Sequence, residues 1–253
     1  PTPPSTRRTW NRRTLKSNDT PAVASSEPAL AALAREASEL KLRALPPEVL
    51  HQARLCVLDT LGCMLAGTRT QEAQLILACE PDVHGGGTRN ASIYGTARSR
   101  PLASALRVNG YLGDVLELND LIGGHASIGI VTLALGLAEA GNATQGELLE
   151  SVVRGIEVTA RVYSAVYPSL KRFSESAMVP VGIPSAIGAA ATAARLLILD
   201  AGKTTNAMAI AGATAGWCPA EVIFGDGGTI KPMLFGAQPA VAGLVGADYA
   251  ACG

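Results

Sequence analysis

From Pro47 onward the apolar positions recur at three- and four-residue steps: Val49, Leu50, Ala53, Cys56, Val57, Leu61 and Leu65, up to Gly67. This is the period of an amphipathic helix, with Pro47 in the first turn, where a missing N–H costs little. The stretch 99–118 predicts a second helix, with Pro101 near its start and Leu102, Leu106, Val108, Leu112, Val115 and Leu116 on a broad face. A helix over 128–140 stops at Gly141, and Thr144 with Glu147 forms a capping box for the next, which runs past Val152, Ile156 and Tyr163. So short a connection predicts that these two helices lie antiparallel. The segment 185–199 is close to a run of alanine, and 204–215 is a second small-residue helix. Only Ala91–Thr96 alternates like a strand, and nothing repeats at a fixed period. The expected fold is all-α, a multi-helix domain over residues 27–253 with close-packed Ala/Gly-rich helices.

The first 26 residues break this pattern. They carry Arg7, Arg8, Arg12, Arg13 and Lys16 against Asp19 alone, with almost no apolar periodicity, and predict a disordered basic tail. Such a composition also suits an organellar transit peptide, although Pro1, Pro3 and Pro4 spoil an amphipathic helix. The expected location is therefore cytoplasmic, with a mitochondrial one as the alternative. The whole chain balances 21 Lys+Arg against 21 Asp+Glu, which leaves the body mildly acidic and without the basic footprint that nucleic acid requires. The uncharged runs 121–138 and 176–194 approach the length of a bilayer span, but they consist mainly of Ala, Gly, Ser and Thr and predict buried helices, not membrane segments. Five cysteines without Cys-x-x-Cys spacing, beside three histidines, predict neither a disulfide framework nor a metal site.

Three polar features interrupt the apolar body. In LELNDLIGGHASIG, Glu117 and Asp120 lie three apart at the end of a predicted helix and His125 follows a Gly-Gly turn. Two carboxylates on one helical face, with an imidazole folded back over them, suit general acid/base chemistry; the acids would orient His125 and raise its pKa. In FGDGGTIKPMLFG, Gly225, Gly227, Gly228 and Thr229 permit N–H groups to turn toward an anion, and Lys231 adds a full charge, although the spacing is not that of a P-loop. The third feature, His84 with Gly85–Gly87, follows no predicted strand and reads as a surface turn.

Taken in order, ARLCVLDTLGCMLAGT, YGTARSRPLASALRVNGYLGDVLELND, His125 before a small-residue helix ending LAEAG, GELLESVVRGIEVTARV, and GAAATAARLLILD with TIKPMLFGAQPAVAG resemble the MmgE/PrpD family, which contains 2-methylcitrate dehydratase, cis-aconitate decarboxylase and iminodisuccinate epimerase. The resemblance runs from about Pro28 to Asp248. It implies a large all-α domain, usually completed by a smaller α/β domain that this sequence does not reach, so the chain is expected to be a fragment, a processed product or a shortened relative. It also implies a cofactor-independent enzyme acting on small di- or tricarboxylates, commonly as a homodimer. By position, Glu117 opens the family's acidic motif, Asp120 closes it, His125 matches a conserved histidine with its distance to Glu139 kept, and Lys231 matches the lysine expected to contact substrate carboxylates. Leu121 stands where decarboxylase-like members have Thr, the loop from Asp120 to His125 is about three residues shorter, and the family's second histidine is replaced around Met178-Val179-Pro180.

The expected function is a lyase, a dehydratase or decarboxylase, with His125 moving a proton and Lys231 holding carboxylates. An epimerase is the alternative, with His125 working opposite Tyr163 or Tyr167. A non-catalytic truncated paralogue that dimerises with a full-length partner is the third.

Overall fold

A computed structural model describes residues 27–80, 89–167, 175, 177–225 and 230–253. The basic tail, His84 with its glycines, and Gly227, Gly228 and Thr229 lie outside the described residues. The chain folds as α1 (Ala29–Glu39), a short 3₁₀ turn (Leu42–Ala44), α2 (Pro47–Gly67), α3 (Gln71–Cys79), a hairpin of β1 (Asn90–Ser92) and β2 (Ser99–Pro101), α4 (Leu102–Asp114), α5 (Ala126–Gly141) and α6 (Gln145–Val166). Then follow β3 (Met178–Val179), α7 (Gly182–Leu196), α8 (Ala201–Thr214), β4 (Cys218–Pro219), α9 (Ala220–Phe224), a π-helical turn (Met233–Ala237) and α10 (Gln238–Cys252). The all-α expectation holds, with two two-stranded ribbons as the described sheet structure.

The alanine-rich α7 lies at the centre and packs against α5, α6, α8 and α10. Its composition makes this possible: a Cβ on Gly188 would sit 2.4 Å from the carbonyl oxygen of Gly155 on α6, and one on Gly155 would sit 2.0 Å from Thr192 Oγ1 on α7. Two backbones therefore meet where any larger residue would force them apart. A second such contact joins α4 to the π-helical turn, where a Cβ on Gly236 would lie 2.1 Å from the Gly110 carbonyl oxygen. The capping box at the start of α6 is present, with Thr144 N donating to Glu147 Oε2 at 2.9 Å and Glu147 N to Thr144 Oγ1 at 3.3 Å. Buried Glu150 on α6 ties in Arg195 of α7 and accepts from Leu42 N at 2.8 Å. By length and composition alone, α2 would be long and apolar enough to cross a membrane; in the fold it packs on α4, α5 and α6. All five cysteines are free, with Cys56, Cys63 and Cys218 buried and Cys79 and Cys252 exposed.

Two predicted elements are shorter than their patterns: the strand expected over Ala91–Thr96 is Asn90–Ser92 alone, because the chain turns at Tyr94–Ala97 to pair back on itself. The helix expected over 99–118 occupies only Leu102–Asp114. At its start, Ser99–Pro101 pairs antiparallel with Asn90–Ser92, Ala91 opposite Arg100, and Glu139 holds the ribbon by accepting from Ser92 N at 3.0 Å. At its end, Glu117 N donates to Asp114 O at 2.9 Å and Glu117 takes a left-handed backbone (φ 51°), which closes a turn that no helix can continue. Glu117 and Asp120 therefore lie in a loop and share no helical face.

Candidate active site

The loop after α4 exists to present His125. Asp120 Oδ1 accepts from Ile122 N at 2.8 Å, and then Gly123, Gly124 and His125 all take positive φ (53°, 75° and 68°) before α5 begins. Glycine adopts this backbone freely, whereas a histidine held in it as the N-cap residue of a helix is strained and must be fixed by its surroundings. Two contacts fix the ring. It stacks on Phe235 of the π-helical turn, with centroids 4.9 Å apart and planes 12° from parallel, and its Nδ1 lies 2.8 Å from Asn119 Oδ1. The Gly110–Gly236 approach brings that turn, and so Phe235, close enough to stack.

Asn119 in turn donates from Nδ2 to Asp114 Oδ1, a contact that orients its amide and leaves Oδ1 as the acceptor for His125. The proton of a neutral His125 then sits on Nδ1, and Nε2 is the lone-pair nitrogen. Burial lowers the His125 pKa below its ordinary value; Asp120 and Glu117 raise it by charge and Lys231 lowers it, and burial prevails. The expectation that the two acids would lift His125 is thus reversed, because the ring is more enclosed than a loop position suggests. Asp114 is fully buried, and desolvation pushes its carboxyl up to about 7, against the Asn119 hydrogen bond that lowers it. Its Oδ2 and that of Asp120 find no hydrogen-bond partner among the described residues. Nearby Cys63 on α2 is pushed up to about 11 by burial and by the charges of Asp59, Asp114 and Asp120, which keeps it a thiol.

Lys231 and Glu117 are brought together, with Nζ 2.6 Å from Oε1, and the ammonium lies 5.8 Å from the centroid of the Phe224 ring. Glu117 is thus the partner of Lys231, not the residue that orients His125. Glu117, His125 and Lys231 line one open cleft of about 330 Å³, whereas Asp120 is not brought into its lining. The cleft is also lined by Tyr163 of α6 and by Tyr167 just past the end of that helix, whose rings stack at 4.6 Å; burial and the hydrogen bond and charge of Tyr167 raise the pKa of Tyr163. Leu121 and Val179 also line it. The two positions at which this sequence departs from the resembled family therefore face the same space as His125. Among the described residues no group of three or more His, Cys, Asp or Glu side chains is arranged to hold a metal ion.

The sequence reading missed Asp114, Asn119 and Phe235. Asp114 carried a signal: it is the one acid within LASALRVNGYLGD, a helix that is buried on nearly every side. Asn119 was hidden between the two acids, and Phe235 acts through a contact that no local spacing encodes.

The structure thus presents a helical domain with a histidine, a lysine and two tyrosines around one cleft. The model of the MmgE/PrpD N-terminal domain matches residues 31–253, and the chain belongs to the MmgE/PrpD family, which includes lyases. No curated protein matches it significantly.

Proposed function

We propose that this chain supplies the proton-transfer site of a cofactor-independent lyase, a dehydratase or decarboxylase, acting on a small di- or tricarboxylate such as 2-methylcitrate or cis-aconitate. The observation that carries this reading is His125 with its Nδ1 2.8 Å from Asn119 Oδ1 and its ring stacked on Phe235, in the cleft that holds Lys231. A lowered pKa keeps the imidazole neutral near pH 7, so Nε2 can take a proton from the carbon next to a carboxylate, as a dehydration requires; in a decarboxylation the imidazolium form would be needed, its Nε2–H protonating the carbanion left when CO2 departs. Lys231 would hold a substrate carboxylate once its bond to Glu117 opens, and would stabilise the charge that spreads onto that carboxylate in the transition state. Asp120 shapes the loop and adds negative charge beside the ring. Tyr163 and Tyr167, which line the same cleft, would serve as proton donors.

A second reading, epimerisation of an iminodisuccinate-like dicarboxylate, is favoured by Val179. An apolar side chain there removes one acid from the cleft, and epimerisation needs only proton removal and return, without a leaving group. Proton NMR in D2O with cis-aconitate, 2-methylcitrate, citrate and iminodisuccinate separates the two. A His125→Asn control is preferred because Asn tolerates the left-handed backbone. New product that disappears in the control is the expected result. Deuterium entering unchanged substrate selects epimerisation, and the absence of both from a folded chain overturns the enzymatic reading.

A further inference from the structure

A second cavity, of about 160 Å³, adjoins the cleft. It lies between the end of α6 and the start of α7, lined by Val162, Val166, Pro180, Ile183, Pro184 and Ile187, and it shares Tyr163, Tyr167 and Val181 with the cleft. The two spaces differ in chemistry. The cleft carries Lys231, Glu117 and His125, whereas among the described residues every side chain that lines only the second cavity is apolar. The described core does not fill it: α7 puts its alanines into the helix crossings, while Ile183, Pro184 and Ile187 form one wall of the opening. An apolar space beside a charged one fits a ligand that is itself divided, with a charged head and an apolar arm.

We infer that the cavity is an arm subsite of the same site, and that the substrate is a dicarboxylate carrying an alkyl or aryl substituent larger than the single methyl of 2-methylcitrate. This rests on the carboxylate reading proposed above. With a carboxylate on Lys231 and the reacting carbon at His125 Nε2, the substituent runs past the stacked Tyr163 and Tyr167 rings and Val181 into the cavity. At about 160 Å³ the space is small, and only an arm of limited length fits it. Burying such an arm releases water from apolar walls, so each methylene strengthens binding until the cavity is full.

The test is an NMR titration of the chain with citrate and with succinate and its 2-methyl, 2-propyl, 2-butyl and 2-phenyl derivatives. Affinity is expected to rise up to about fourfold per added methylene and to level off once the arm fills the cavity. Val166→Trp fills the cavity from its exposed rim without touching the cleft, and should cancel the gain while leaving succinate unchanged. Val166→Ala should move the plateau to a longer arm. Lys231→Met should abolish binding of the whole series. Succinate binding that depends on Lys231 but gains nothing from the arm, or gains that survive Val166→Trp, would overturn the subsite and leave the carboxylate reading standing. Alkyl acids that bind equally well to Lys231→Met would show an independent apolar site and overturn the linkage. Failure of every acid, citrate included, would overturn the carboxylate reading itself.

Discussion

Asn119 Oδ1 lies 2.8 Å from His125 Nδ1, while the same amide donates to the buried Asp114 carboxylate. One side chain thus decides which ring nitrogen carries the proton and which faces the cleft. Asn119→Ala is expected to cost about a hundredfold in turnover, because both tautomers and other ring rotations become accessible. Asn119→Asp keeps an acceptor for Nδ1–H but places a negative charge beside the ring, so it should retain more activity and move the acidic limb of the pH profile upward. A merely structural Asn119 would lower stability in both variants and leave the profile where it is.

Asp114 predicts a pH dependence of stability whose sign is set by burial. Its carboxyl is raised from 3.8 to about 7 in the fold. Between those values the folded chain keeps a proton that the unfolded chain has lost, so this group makes stability fall as pH rises through the window, by about 4 kcal/mol in all. The lowered pKa of His125 acts in the opposite direction below its ordinary value of 6.5. Urea melts of the native chain and Asp114→Asn from pH 4 to 8 isolate the first effect by difference. Asparagine can still accept from Asn119, so the variant should gain steadily on the native chain up to about pH 7. A constant difference across the range would show that Asp114 is ionised throughout.

The elements that could be read from the sequence are those fixed locally. Pro47 and the apolar steps to Leu65 define α2, and Thr144 with Glu147 sets the start of α6, because each depends on residues within one or two turns. The ends of α4 depend instead on partners elsewhere. Ser99–Pro101 leaves the helix to pair with Asn90–Ser92, and the chain turns after Asp114 through a left-handed Glu117. His125 and Lys231 could be picked out because charged and imidazole groups in an apolar sequence stand out. Their partners could not: the Phe235 stack, the Glu117–Lys231 bond and the Asn119 amide depend on how distant segments and loop backbones meet.

The crossing of α6 and α7 makes a test of the fold that is separate from the chemistry. A Cβ on Gly188 would fall 1.9 Å from Thr159 Oγ1 and 2.4 Å from the Gly155 carbonyl oxygen, which is backbone and cannot rotate away. Gly188→Ala is therefore expected to destabilise the chain by about 2 kcal/mol or more, although alanine has the higher helix propensity. Gly62 on α2 has open space around its missing Cβ, and Gly62→Ala should be neutral or stabilising. Thermal melts of the pair give the comparison, and equal effects would place the two helices farther apart than the structure has them.

Glu117 and Lys231 set the remaining expectation, because their 2.6 Å contact occupies the cation that the proposed substrate needs. Glu117 is half exposed, so the bond is one that water and salt can open. A carboxylate that binds Lys231 must displace Glu117 and bear the cost of breaking that pair. Glu117→Gln removes the competing charge and leaves a side chain of the same size. Citrate should then bind about two- to fivefold more tightly, the range that partly exposed ion pairs contribute, with the gain shrinking as salt is raised. The same change removes a negative charge near His125, which lowers the imidazole pKa further and moves the acidic limb of activity to lower pH. Tighter binding with a downshifted limb is the signature of a gatekeeping carboxylate. Weaker citrate binding in Glu117→Gln would mean instead that Glu117 meets the substrate directly, through a hydroxyl or a shared proton.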